Sequence, residues 1–214
     1  MSAIGKASGK IILMGEHSVV YGQPAIAMPF SAVEIIAKVT AQGEALSVDC
    51  DFYKGLVHKM PKIWESLKHA IRFSLYRIGA PTDPAIHIKI SSTIPAERGM
   101  GSSAAVAVAV ARALFAHYEK ILTDKELWEI VQSSEKIAHG NPSGIDAATT
   151  SGKSPVFFIK NQPMEPLELK LSAYLVVADT GVTGNTLEAI SDVGDLLEKK
   201  PEGMKFVEEL GSLA

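Results

Sequence analysis

The chain has 214 residues, 47% of them hydrophobic and 21% charged, with a formal net charge of -3 and a mean hydropathy of +0.16. A chain of that length can bury roughly 70% of the surface it exposes unfolded, as one large domain or two small ones, so intrinsic disorder is excluded as its main property. The slightly acidic balance supplies no basic field for nucleic acid or an anionic membrane, and the lone Cys50 has no internal disulfide partner. A cytoplasmic protein with no nucleic-acid partner and no membrane partner is expected.

Up to residue 40 the chain alternates apolar runs with glycine. Ile11 to Met14, Val19 to Tyr21 and Ala25 to Met28 predict short strands joined by tight turns at Gly15 and Gly22. Val33, Ile35, Ala37 and Val39 alternate with Glu34, Ile36, Lys38 and Thr40, which predicts a strand with one buried face. Between Lys54 and Ile78, apolar residues recur at spacings of three and four, predicting one or two helices broken at Pro61 and stopped at Gly79. Ile86, Ile88 and Ile90 predict another strand.

The run from Ala104 to Ala116 has a strand-like alternation of Ala and Val over its first half. Its length and alanine content favour a buried helix, with Ser102 and Ser103 as N-cap candidates. Thr123 and Glu126 have capping-box spacing ahead of an amphipathic helix ending at Gly140. Asn141 and Pro142 predict the cap and first residue of a short helix closed by Gly152. Val156 to Ile159 and Tyr174 to Ala178 predict two strands. Residues 161–170 mark a candidate domain boundary, and a helix is expected from about Leu187 to Lys200.

Four segments carry candidate chemistry. Pro95-Ala96-Glu97-Arg98-Gly99-Met100-Gly101-Ser102-Ser103-Ala104 lies between a predicted strand and a predicted helix, where glycines and unpaired helix N–H groups form a phosphate site. A serine-capped tight turn has the same appearance. Gly152-Lys153-Ser154 mimics the end of a Walker loop, but Ala147 stands where the first glycine is required and Pro155 follows. Asp146, among small residues, suits a general base or a carboxylate at a helix N-terminus. Glu135 shares a helix face with His139 and suits either a magnesium ligand beside phosphate oxygens or a solvated face. Glu16 and His17 interrupt apolar sequence, as a polar hairpin tip or as residues in use, with Lys10 the nearest cation. His58, His69, His87 and His117 have no metal-ligand spacing.

Three ordered blocks resemble the galacto-, homoserine, mevalonate and phosphomevalonate (GHMP) kinases. Gly9-Lys10-Ile11-Ile12-Leu13-Met14-Gly15-Glu16-His17-Ser18-Val19-Val20-Tyr21-Gly22 is similar to the first motif as mevalonate kinases carry it. The segment from Pro95 to Ala105 resembles the phosphate-binding motif, and His139-Gly140-Asn141-Pro142-Ser143-Gly144-Ile145-Asp146 is similar to a block of mevalonate kinases. The resemblance implies an α+β, two-domain fold: an N-terminal domain of mixed sheet and helices over residues 1–170, then the start of a ferredoxin-like domain over residues 171–214. The family's Thr-Gly-Ala-Gly motif does not occur before Ala214, so the second domain is expected to be incomplete in this chain.

By the same resemblance, residues 95–105, including Ala105, would hold ATP, and Ser103 and Glu135 would hold Mg²⁺. Asp146 would be the catalytic base, with Lys10 beside it. Lys10, Glu16, His17, Asp146 and Thr186 would bind mevalonate, yielding 5-phosphomevalonate in isoprenoid synthesis. Phosphomevalonate or homoserine kinase, or a non-catalytic nucleotide-binding relative, are the alternatives. A homodimer is what the family suggests.

Overall fold

The fold is seen in a computed structural model, which describes residues 2–214 apart from 97, 141, 170, 171 and 183–185, and only the backbone of residues 186–190 and 201. Among the described residues, the first strand, β1 (Ser2–Met14), pairs antiparallel with β2 (Ala25–Thr40). The two are longer than the glycine-punctuated sequence predicts. The register between them shifts at Ser8 and Gly9, whose partners step from Glu34 to Phe30. Such an irregularity lets two long strands stay paired while they bend. Val19 to Tyr21, expected as a strand, belong to a 3-10 turn over Ser18–Tyr21. Its Val19 is buried, so apolar content there serves packing rather than pairing.

β3 (Ser47–Cys50) and β4 (Tyr53–Leu56) make a hairpin, and β5 (His87–Ser92) pairs parallel to β3 and antiparallel to β2. With β6 (Val156–Phe158) and β7 (Glu165–Pro166), the sheet runs β4-β3-β5-β2-β6-β7, and β1 lies on β2. It is a mixed sheet, as expected. The helix predicted from residue 54 begins only at Glu65: residues 53–56 are strand, two 3-10 turns follow around Pro61, and α1 (Glu65–Ile78) ends at Gly79. Proline removes a backbone donor and fixes its own torsion, and the three-and-four spacing before Pro61 arises here from a hairpin edge.

α2 (Ser102–His117) is buried on almost every side. It lies against β1 and β2 on one face, with α1 and α3 (Asp124–His139) on the other, so its uniformly small apolar sequence suits a central helix. The close approach has a cause at Gly5, where a Cβ would run into the backbone of Ala109 and Ala113. The Thr123–Glu126 capping box of α3 forms as predicted. Two other helix starts differ from expectation. Gly101, not Ser102 or Ser103, is the N-cap of α2, and no side chain caps that helix. α4 (Ile145–Ser151) begins after Gly144 rather than at Pro142, with Ser143 Oγ accepting from the Ile145 N–H at 3.3 Å.

Residues 174–178 have no ladder partner among the described residues, and Tyr174 is 99% exposed. Sheet-forming residues build a strand only when another strand presents its edge. α5 (Thr186–Lys199) falls where a helix was predicted, and α6 (Met204–Gly211) follows, with its Val207 buried. α6 packs near the Ser18–Tyr21 turn. Among the described residues, no helix is long and apolar enough to cross a membrane.

Candidate active site

Three elements meet at the N-terminal end of α2. β1 brings Lys10, residues 98–101 lead into the helix, and α4 brings Asp146 in its first turn. The segment is fixed to the strand by the Lys10 N–H, which donates to the Met100 carbonyl at 3.0 Å. Gly101 has φ +69, and a Cβ there would stand 2.8 Å from Lys10 Cγ and 3.2 Å from Thr150 Cγ2. Only glycine supplies both that torsion and that space. Because no side chain caps α2, the N–H groups of its first turn and their positive dipole end are left for an anion.

Lys10 Nζ lies 2.9 Å from Asp146 Oδ1. The lysine side chain is 5% exposed and the aspartate 31%, so the cation is buried while its partner carboxylate still meets solvent. Burial by itself would lower the lysine pKa. The carboxylates of Asp146, Glu16 and Glu135 outweigh it, and Lys10 is held above its ordinary value and stays charged.

Glu135, on α3, is 2% exposed, which overturns the solvated-face alternative. Its partner at the fourth position, His139, lies 3.7 Å away from Oε2. Burial and then the nearby Asp146 carboxylate push the Glu135 pKa up to about 7, against the opposing pull of the Ser103 hydroxyl and Lys10. Oε1 is buried with no hydrogen-bond partner among the described residues. A buried carboxylate oxygen left over, beside the Ser103 hydroxyl, is a hard oxygen donor suited to Mg²⁺. No group of three His, Cys, Asp or Glu side chains that could hold a metal by itself occurs among the described residues. Mg²⁺ takes only one or two protein oxygens and completes its shell with water and phosphate, so the residues present fit it.

The raised pKa has a consequence for stability. The folded state holds the Glu135 proton up to about pH 7, whereas the ordinary carboxyl releases it near 4.5. The unfolded chain therefore binds fewer protons between those values, and the contribution falls as pH rises through that window. In metal-free buffer, wild type should lose on the order of 3 kcal/mol relative to Glu135→Gln across the window, at about 1.4 kcal/mol per unit. Chemical denaturation at several pH values measures it; parallel stability curves would refute the burial argument.

Glu16 and His17 are exposed at the turn after β1, and His17 has φ +62. The polar turn is therefore observed, and the electrostatic reach of Glu16 to Lys10 joins it to the site. Ala104 and Ala105 are fully buried in the core, so they serve any ligand through the α2 backbone alone. Glu97 lies outside the described residues, as does the side chain of Thr186. His69 and His87 are satisfied by Ser133 at 3.0 Å and Ser47 at 2.9 Å.

The sequence carried no sign of where Arg98 goes. Its Nε donates to Asp179 Oδ1 at 2.9 Å and Nη2 donates to the Gly181 carbonyl at 3.1 Å, tying the anion loop to the segment that precedes α5. The Gly181 N–H, and after it Arg98, hold the Asp179 pKa below the usual carboxylate range. Arg112 was also missed, although one cation inside the apolar sequence of α2 was the available signal, since a charge there must find partners.

The family description "GHMP kinases N terminal domain" matches residues 63–153, the part of the chain that holds the anion loop, Glu135 and Asp146. A mevalonate kinase of Pyrococcus horikoshii is 32% identical, over 98% of this chain and 67% of its own length. Among solved structures, mevalonate kinase from methicillin-resistant Staphylococcus aureus MRSA252 has 35% identity and a TM-score of 0.64, covering 97% of this chain and 70% of that one. L. major mevalonate kinase in complex with R-mevalonate has 26% identity and a TM-score of 0.74, covering 98% and 65%. The chain thus spans about two thirds of the length of these relatives. An anion loop on an uncapped helix, a lysine paired with a carboxylate, and likeness in both sequence and fold converge: the chain belongs to the mevalonate kinases of the GHMP kinase superfamily.

Proposed function

We propose that this chain carries the phosphoryl-transfer site of an ATP-dependent mevalonate kinase, converting (R)-mevalonate and ATP to 5-phosphomevalonate and ADP in isoprenoid synthesis. The observation that carries the reading is the 2.9 Å Lys10–Asp146 pair beneath the uncapped N-terminus of α2. Phosphoryl transfer needs little covalent chemistry from a protein; it needs positioning and compensation of charge. Residues 95–105 would hold the ATP phosphates with backbone N–H groups. Ser103 and Glu135 would hold Mg²⁺, which when bound neutralises charge on the phosphate oxygens.

Asp146 would accept the proton of the C5 hydroxyl as its oxygen bonds to the γ-phosphorus and the bond to the β,γ-bridging oxygen breaks, releasing ADP. Lys10 would pair with the Asp146 carboxylate before the step and stabilise the developing alkoxide during it. Glu16, His17 and Thr186 would line the mevalonate pocket. A cytoplasmic homodimer is the setting we propose from the family resemblance.

Mass spectrometry of the gene product incubated with MgATP and a panel of alcohols tests the reading. Phosphomevalonate with ADP is the expected product. ADP formed only with phosphomevalonate or homoserine would move the substrate assignment to a sibling kinase, and no turnover with any of them would overturn the activity.

A further inference from the structure

Arg112 lies on α2, away from the anion loop, and both ends of its guanidinium are used. Nη1 donates to the Lys6 carbonyl at 2.6 Å, and Nη2 donates to the Ser151 carbonyl at 2.7 Å. These acceptors belong to the two elements that meet at the site. Lys6 precedes Lys10 by four residues, two pleat repeats, along β1, and Ser151 closes the α4 helix that has Asp146 in its first turn.

Both carbonyls need an outside partner. β1 pairs with β2 and with no other strand among the described residues, so its second edge has backbone groups to satisfy. On that chain the Lys10 N–H is met by Met100 and the Lys6 carbonyl by Arg112. Ser151 is the last residue of α4, where carbonyls lack intrahelical donors and the dipole favours a cation. A planar guanidinium offers two donors at fixed separation; an ammonium acts as a point charge.

β1 and α4 are therefore joined at two places, by Lys10–Asp146 at the reacting end and by Arg112 at the other. We infer that Arg112 is a positioning residue, which sets the alignment of β1 and α4 and so the separation of Lys10 from Asp146. It touches neither reacting group. The inference deepens the proposed kinase reading and rests on it for its effect on turnover, although the alignment itself does not depend on the substrate.

Two readouts on the full-length protein test this. In Arg112→Ala, kcat for mevalonate phosphorylation is expected to fall about tenfold or more while KM for ATP stays within about threefold, since small misplacement of reacting groups is costly and phosphate binding is left intact. Millimolar guanidinium should restore part of that kcat. Independently of turnover, the rate at which acetic anhydride labels Lys10, followed by peptide mass spectrometry, should rise severalfold toward that of Asp146→Asn, which breaks the pair directly. Arg112→Lys, retaining charge without the fork, serves if the alanine variant does not fold and should show the same two changes to a smaller degree. Wild-type Lys10 labelling in the folded fraction, with kcat lost only in proportion to unfolded protein, overturns the positioning role. If wild type makes no phosphomevalonate, the kinase reading fails, and the labelling comparison still decides the alignment.

Discussion

Asp146→Asn is expected to lower kcat by about 10³-fold, within the range of a positioned general base, with ATP affinity changed only a few-fold. The substitution conserves shape and leaves Lys10 beside a neutral amide. What disappears is the group proposed to receive the hydroxyl proton and part of the field that holds Lys10 above its ordinary pKa. The α2 N–H groups proposed to bind phosphate belong to another element and are untouched. Single-turnover kinetics with a fluorescent ATP analogue separates the two effects. A kcat within threefold of wild type would remove Asp146 from the proton-transfer role, and a parallel loss of nucleotide affinity would show that its contribution is structural.

Lys10→Met is the second large expectation, and it joins stability to chemistry. Lys10 is 4% exposed and is the cation shared by Asp146, Glu16 and Glu135. Deleting one member of a buried pair strands the other, at a cost of about 3 kcal/mol, near the lower end for such pairs because Asp146 retains some solvent. The variant Lys10→Met/Asp146→Asn should be more stable than Lys10→Met alone, since it removes the stranded charge as well. Urea unfolding of wild type, both single variants and the double variant measures the coupling. Turnover of Lys10→Met should also fall by about 10²-fold or more, as when a preorganised donor to developing charge is deleted. Additive stabilities across the four proteins would mean that the 2.9 Å contact has no energetic weight.

Much of the helical layer was legible from local pattern. The capping box of α3, the buried run of α2 and the stop of α1 at Gly79 follow from spacing, composition and end chemistry within a few residues of each other. The strands were less legible. Gly15 and Gly22 suggested short pieces, yet β1 and β2 run as 13- and 16-residue strands because each is held by its neighbours in the sheet. Residues 174–178 show the converse: strand-forming residues without a paired edge adopt no ladder.

The sequence by itself determined which chemistry this chain can perform. It displayed the glycine loop, Lys10 and Asp146 in three ordered blocks, and Glu135 on the helix that leads into the third. Only the tertiary structure decided how those groups act on one another. Burial turns Glu135 from half of an exposed Glu–His pair into a carboxyl with a pKa of about 7. The meeting of β1 and α4 brings Lys10 to Asp146, and Arg112 and Arg98 tie together segments distant in the chain. Helix and turn signals are short-range and can be read along the chain; desolvation and ion pairing depend on which elements pack together, and are set by the fold as a whole.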